Sequence, residues 1–380
     1  MLVLNDNRGE VMLPFCFGGV WLLNIICVIR KKKSYIVEAL TCLFVIILFC
    51  GNTSNGDYLA YSRRYYAGGL GDYEFGFSIV GNLCNSLGIS YDWFKSLIYI
   101  PCLIALYVLC NRYIGELHGF ILLYFSILIF YDIVQIRNFV AAVMLLIGIS
   151  CLIDGKKTRY LIVILVAISF QSVALIYLPL VFVDPKRVSQ IKYGLVIAFV
   201  SMSLSIVVLL NGKQIPFLGE VLELITGSTE KLFYLTTRIN WGFLIPWGLH
   251  FLNIVLVLYS ENLLRNGRIV LLEHQEKVLY WSKTTMYIGL LIFPFILVNL
   301  TFDRVYRNFN YLYYILAAIT MKEIRVSVYR DNRRWRIKEL LYFLFIIVYG
   351  LVWHYGTLYR YGTYPTEIQL ILENNFFFGS

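Results

Sequence analysis

Charge is scarce in this chain. Only 15% of its 380 residues are Asp, Glu, Lys or Arg, against 59% hydrophobic ones, and the mean hydropathy is +0.71. A water-soluble domain could not hide that much apolar surface, so the soluble classes are excluded and an all-α polytopic membrane protein is expected. Metal-ligand spacing is missing too. The eight cysteines are scattered, mostly inside apolar runs (Cys16, Cys27, Cys42, Cys50, Cys102, Cys110 and Cys151), with no CxxC pair. The four histidines, His118, His250, His274 and His354, form no HExxH or similar cluster. The cysteines read as small packing residues, and neither a metal nor another cofactor is expected. Internal repeats and low-complexity stretches are also lacking, which leaves 1–380 as a single integral membrane domain. A cleavable signal peptide is not expected either: Arg8 is followed by acidic Glu10, and a basic cluster comes after the first apolar run, not before it, so that run reads as a retained first helix.

The little charge present is unevenly placed. A net charge of +10 would suit nucleic acid, but most basic residues sit in short clusters between apolar runs, which is how membrane topology is encoded. No nucleic-acid partner is expected. Spans are expected at 11–29, 36–50, 96–111, 119–131, 138–153, 191–210, 241–259, 278–299, 308–321 and 338–353, about ten in all, several of them short for a bilayer core of about 30 Å. The cluster from Arg30 to Lys33 places the first loop in the cytoplasm and the stretch 51–77 outside. Lys156, Lys157 and Arg159 then fall inside. The segment 161–183 is long enough for one span, but a span there would turn the most basic loop, 322–338, outward. A re-entrant hairpin with its tip at Ser169-Phe170-Gln171-Ser172 keeps both flanking clusters inside. Outer loops are then expected at about 51–95 and 211–240, with an outer tail at 354–380. An amphipathic helix is expected around Val221, Leu222, Leu224 and Ile225, and the tail carries Arg360 among tyrosines.

The stretch 51–77 is the one the chain is organised around. Within 27 residues it holds Asp57, Arg63, Arg64, Asp72, Glu74 and five tyrosines. Carboxylates, guanidiniums and aromatic faces together are what sugar and phosphate recognition needs; the bland alternative is a solvated, glycine-jointed connector. Tyr58, Tyr61, Tyr65 and Tyr66 recur at helical spacing, as a stripe for stacking on sugars or as interfacial anchors. Arg137 opens a helix of small and branched residues, where it either serves function or snorkels to the headgroups. Arg304 and Arg307 share one helical face, with Asp303 available to neutralise one of them. Three segments thus bring arginine to one side of the membrane, where a diphosphate would need several donors. Asp57 and Glu74 are the candidate acid/base groups. Asp72-Tyr73-Glu74 is a short acidic pair of a type also found at hard-cation sites, and equally in ordinary loops.

These residues resemble a known family. Asp57-Tyr58-x-x-Tyr61 followed by Glu74-Phe75-Gly76-Phe77 is similar to the signature of EpsG-type proteins, Wzy-like polymerases of capsular, exopolysaccharide and O-antigen repeat units. Ile136-Arg137-Asn138-Phe139-Val140-Ala141, Arg304-x-x-Arg307-x-Phe309 and Tyr364-Pro365 continue the resemblance in order. It departs where the family often has histidine before serine and this chain has Phe170-Gln171-Ser172; glutamine does not accept a proton at neutral pH, though it can hydrogen-bond a sugar hydroxyl. The resemblance implies a GT-C-like glycosyltransferase that uses undecaprenyl-diphosphate-linked oligosaccharide as donor and acceptor. It would act on the outer face of the bacterial cytoplasmic membrane, with membrane lipid around it and a flippase and a chain-length regulator as partners. On this reading Glu74, Asp57 and Arg137 are catalytic, Arg137, Arg304 and Arg307 hold the diphosphate, and Arg64, Tyr61, Tyr58 and Gln171 are supporting substrate contacts. A lipid-linked oligosaccharide translocase and a lipid-linked glycan ligase are the rival readings.

Overall fold

The computed structural model describes residues 8–68, 70–126, 128–215, 241–326, 333–359 and 364–378. The amphipathic helix expected at 221–225, Arg360 and the side chain of Asp72 lie outside the described residues. Among the described residues every regular element is helical, apart from a bridge between extended backbone at Asn52 and Asn375. The first half of the chain runs α1 (Arg8–Arg30), α2 (Tyr35–Gly51), α3 (Tyr58–Tyr66), α4 (Phe75–Ser86), α5 (Tyr91–Tyr113), α6 (His118–Ser126), α7 (Leu128–Val134), α8 (Ile136–Ile153) and α9 (Lys157–Phe170).

Among the described residues seven helices are long and apolar enough to cross a bilayer: Met12–Arg30, Tyr91–Tyr113, Ile136–Ile153, Ile191–Leu210, Trp241–Asn266, Glu273–Val298 and Trp335–Gly356. The protein is a multi-pass membrane protein. Three of the ten expected spans are carried by shorter elements. The stretch 36–50 is α2, with 17 residues; 119–131 falls in α6 and α7, on either side of residue 127, which lies outside the described residues; 308–321 lies in Asn310–Val326, whose 17 described residues border 327–332. A 17-residue helix rises about 26 Å, short of the hydrocarbon core.

The chain forms two compact units: Met1–Val181 with Leu263–Val270 and Ala317–Ser380, and Phe182–Asn262 with Leu271–Leu316. In the first unit α8 is the central element, with Phe139, Ala142 and Val143 fully buried. Tyr160, Ile164 and Ala167, spaced to share one face of α9, are also fully buried. At Gly148 of α8 a Cβ would meet the Tyr160 ring at 3.0 Å, so the missing side chain lets α9 lie close. The opposite face of α9 is apolar and open, with Ile162 57% and Leu165 58% exposed. Water would penalise such a face, whereas lipid tails accept it.

After α9 the chain turns at Gln171 into a tight 3-10 arm, Ser172–Phe182. The Tyr160 hydroxyl donates to the Tyr177 carbonyl at 2.5 Å. Were the arm to continue straight on, those residues would stand roughly 25 Å apart, beyond any tyrosine's reach. The arm therefore folds back along α9, and Gln171 and Ser172 form the tip.

In the second unit Ser201 donates to the Leu290 carbonyl at 2.5 Å, Tyr306 to the Pro246 carbonyl at 3.0 Å, and Asn253 to Asn310 at 3.0 Å. These buried polar ties join its helices where apolar contact alone gives little specificity in lipid.

Candidate functional site

The site is built from α3, α4, the start of α8 and the tip of the fold-back. Asn55 starts α3: its Oδ1 accepts the backbone N–H groups of Asp57 at 3.0 Å and Tyr58 at 2.8 Å, satisfying two donors that a helix start leaves orphaned. Asn55 in turn donates to Asn52 at 2.7 Å. One turn into α3, Tyr61 is buried and packs on Tyr73 (5.1 Å between centroids) and Phe77 (5.8 Å).

Glu74 occupies the N-cap position of α4 but makes no cap bond there. Its carboxylate turns away and joins three segments. One oxygen is ion-paired with Arg137. The other accepts the Ser172 N–H at 3.1 Å and the Ser172 hydroxyl at 3.0 Å. Burial pushes the carboxyl up, but the Arg137 guanidinium and the Ser172 bonds outweigh it and hold Glu74 below the ordinary glutamate value. Glu74 is an ionised carboxylate whose lone pairs are mostly engaged.

Arg137, the second residue of α8, is held by several groups at once. Its Nε–H donates to the Tyr61 hydroxyl at 2.9 Å. Its guanidinium lies 4.6 Å from the Tyr73 ring centroid, 5.5 Å from that of Tyr61 and 6.0 Å from that of Phe77. Cation–π contacts of this kind contribute about 1–2 kcal/mol when desolvated. The side chain keeps 21% of its surface open, so it is both pre-ordered and reachable. Burial pushes the Tyr61 phenol up to about 12, with Arg137 pulling down and Asp57 pushing up. It stays protonated, and after accepting from Arg137 it retains an O–H to donate.

The structure thus brings together Arg137, Glu74 and Tyr61, with Gln171 next to Ser172 at the fold-back tip. Gln171 is 7% exposed and its Oε1 has no hydrogen-bond partner. Arg64 also reaches the aromatic patch, 5.1 Å from the Tyr73 centroid. Asp57 is close enough to act on both Tyr61 and Tyr73. Tyr58 looks elsewhere: its hydroxyl donates to Asp92 at 3.0 Å and its ring lies 4.6 Å from the Lys95 ammonium. The tyrosine stripe is therefore divided, with Tyr61 and Tyr65 in the aromatic core and Tyr66 exposed. Arg304 and Arg307 belong to the second unit, where buried Arg307 pairs with Asp303 at 3.3 Å.

Four contributors escape the sequence reading. Tyr73 and Ser172 touch the Arg137–Glu74 pair directly. Lys95, 3% exposed, donates to the Asn52 carbonyl and pairs with Asp92 at 3.0 Å. Glu367 accepts the Gly56 N–H at 2.9 Å. For Tyr73 the signal was its place beside Glu74, and for Ser172 its place beside Gln171; nothing in the sequence links Lys95 or Glu367 to that pair. Among the described residues no three His, Cys, Asp or Glu side chains converge on a metal-holding geometry.

The comparison that decides the family is a model that matches residues 35–367, a stretch that contains the whole constellation. The chain belongs to the EpsG family. Membership supports a polysaccharide-polymerase type of function, the activity that the short motifs imply. Neither a curated protein nor a solved structure matches the chain.

Proposed function

We propose that this EpsG-family protein is a glycosyltransferase that joins undecaprenyl-diphosphate-linked oligosaccharide repeat units on the outer face of the bacterial cytoplasmic membrane. The reading includes a GT-C-like arrangement, ten spans and a re-entrant 161–183 hairpin, with a flippase and a chain-length regulator as partners. The observation that carries it is the Arg137 guanidinium, held by Tyr61, Glu74 and Tyr73 at the start of a buried helix yet still open on one side.

A sugar diphosphate departs readily once its charge is held, so an ordered guanidinium placed on the leaving group lowers the barrier most. Arg137 takes that role. Glu74 orients it, because a carboxylate with a lowered pKa and three hydrogen-bonding partners makes a poor proton acceptor at neutral pH. The Asp57 end of the site is where the acceptor hydroxyl gives up its proton. Arg64, Tyr61 and Gln171 line the sugar, and the unpartnered Gln171 Oε1 suits a hydroxyl donor.

The test is the gel profile of surface glycan from a deletion strain complemented with wild type or Arg137→Ala. Wild type is expected to restore a ladder. Arg137→Ala should leave single repeat units at unchanged protein abundance, a loss of at least about 100-fold in polymer. A lipid-linked unit that piles up on the cytoplasmic side of the deletion strain would make the protein a translocase instead.

A further inference from the structure

The C-terminal segment does more than end the chain. Residues 364–378 lie as a strap across the outer end of α2 and the loop that leads into α3. Ile368 and Ile371 anchor it, with at most 1% of their surface exposed. The Asn374 carbonyl accepts the Thr53 N–H at 3.3 Å and the Asn52 amide at 3.2 Å, and Asn375 donates to the Ile47 carbonyl at 3.1 Å. Gly51 makes room for this: a Cβ there would sit 2.6 Å from the Phe377 ring. The strap thereby delivers one carboxylate, Glu367, against the backbone of Gly56, whose N–H it accepts at 2.9 Å. A Cβ at Gly56 would collide with that carboxylate. The next residue is Asp57.

We propose that Glu367 is the proton acceptor of glycosyl transfer, paired with Asp57 at the acceptor end of the site, an assignment that rests on the polymerase reading above. Glu367 is half-buried and so reachable by substrate. Its carboxyl is raised above the ordinary glutamate value by burial and by the Asp57 charge, with the Gly56 N–H pulling the other way. Glu74 is shifted the opposite way. Two carboxylates driven apart by their surroundings divide the labour: the lowered one stays charged to orient Arg137, and the raised one is the better base. Other titratable groups come from elements packed on this turn. They are Tyr131 and Asp132 of α7, the latter accepting the Tyr124 hydroxyl at 2.8 Å, His354, within 3.0 Å of the Ser126 carbonyl, its neighbour Tyr355, and Glu373 at the end of the helix Gln369–Glu373. Asp57 is the one whose charge acts on Glu367.

In the step, the acceptor hydroxyl oxygen bonds to the anomeric carbon of the donor. The bond from that carbon to the diphosphate oxygen breaks, and its electron pair leaves with the diphosphate. The hydroxyl proton passes to the Glu367 carboxylate and from there to water. Atoms and charge balance with no further reactant.

The experiment measures initial elongation rates in membranes supplied with lipid-linked repeat unit extracted from the deletion strain. Glu367→Gln keeps a side-chain oxygen for the Gly56 N–H and nearly the same shape, so a merely structural role predicts a normal rate. A base predicts a fall in kcat of at least about 100-fold with KM little changed. Glu367→Asp, which keeps the charge, is expected to retain part of the activity. Asp57→Asn removes the charge that raises Glu367, so the acid limb of the rate profile should move to lower pH. Wild-type kcat in Glu367→Gln overturns the assignment. If that variant fails to accumulate, an unmoved acid limb in Asp57→Asn overturns it equally. Wild-type membranes that never elongate the extracted unit would defeat the polymerase reading itself, and this assignment with it.

Discussion

At the scale of single residues, the Arg137–Glu74 pair depends on a serine that holds the carboxylate. Ser172 gives Glu74 both its N–H and its hydroxyl, and bonds to a charged acceptor contribute about 1.5–3 kcal/mol each. Ser172→Ala removes the hydroxyl bond and leaves the amide one. Its expected effect is a fall in elongation of roughly tenfold at unchanged protein abundance, with Ser172→Thr close to wild type. Membranes carrying each variant, assayed side by side, decide it; equal rates in Ser172→Ala and wild type would reduce the serine to packing. Legibility divides the same way at this scale. Arg137 could be picked out because an ionisable group at the edge of an apolar helix is costly and so needs a reason; Tyr61 and Glu74 stood out through the mixed composition of 51–77 and the family motif they share. Ser172 could not, since a serine in a loop carries no such cost, and its partner lies 98 residues away. Arg307 shows the limit from the other side: its charge stands out in sequence, yet in the second unit it is ion-paired to its own helical neighbour Asp303.

At the scale of elements, the start of α4 and the fold-back tip meet through a glycine. A Cβ on Gly76 would stand 2.9 Å from the Ser169 carbonyl oxygen and still closer to its hydroxyl. Backbone cannot yield as a flexible side chain can, so Gly76→Ala should push the tip away from α4 and pull Ser172 off Glu74. The expected result is loss of most polymer at abundance near wild type, because α8 and α9 keep their own contact through Gly148 and Tyr160. Ladder length on glycan gels and thermal unfolding in detergent separate the two effects; polymer at wild-type level in Gly76→Ala would show that the contact gives way without consequence. The polar string Ser169-Phe170-Gln171-Ser172 was enough to expect a break, because polar residues amid an apolar run have no partner in lipid. What docks on that break was beyond the sequence, whereas the short elements at 36–50 and 308–321 were legible, since the spans expected there were already short for the hydrocarbon core.

At the scale of the whole molecule, topology follows from what happens at 161–183. Basic clusters flank it, with Lys156, Lys157 and Arg159 before and Lys186 and Arg187 after. A straight crossing would put them on opposite sides, against the tendency of such clusters to stay in the cytoplasm. The bond between Tyr160 and the Tyr177 carbonyl requires the arms to run side by side, as the proposed re-entrant hairpin needs. Single cysteines at positions 157 and 186, placed one at a time in a background freed of the eight native thiols, give the test. A membrane-impermeant maleimide should label neither in intact cells and both after permeabilisation. A cysteine at exposed Tyr66, on the helix that carries Tyr61, should be labelled from outside without permeabilisation. Opposite labelling of 157 and 186 would make the segment a crossing. That outcome would shift every later helix by one face, because orientation is counted span by span from the first basic loop. The strap carrying Glu367 would then come from the side opposite to Asp57, at odds with its bond to Gly56, so the proposed arrangement of spans commits to an even number of crossings between residues 56 and 367.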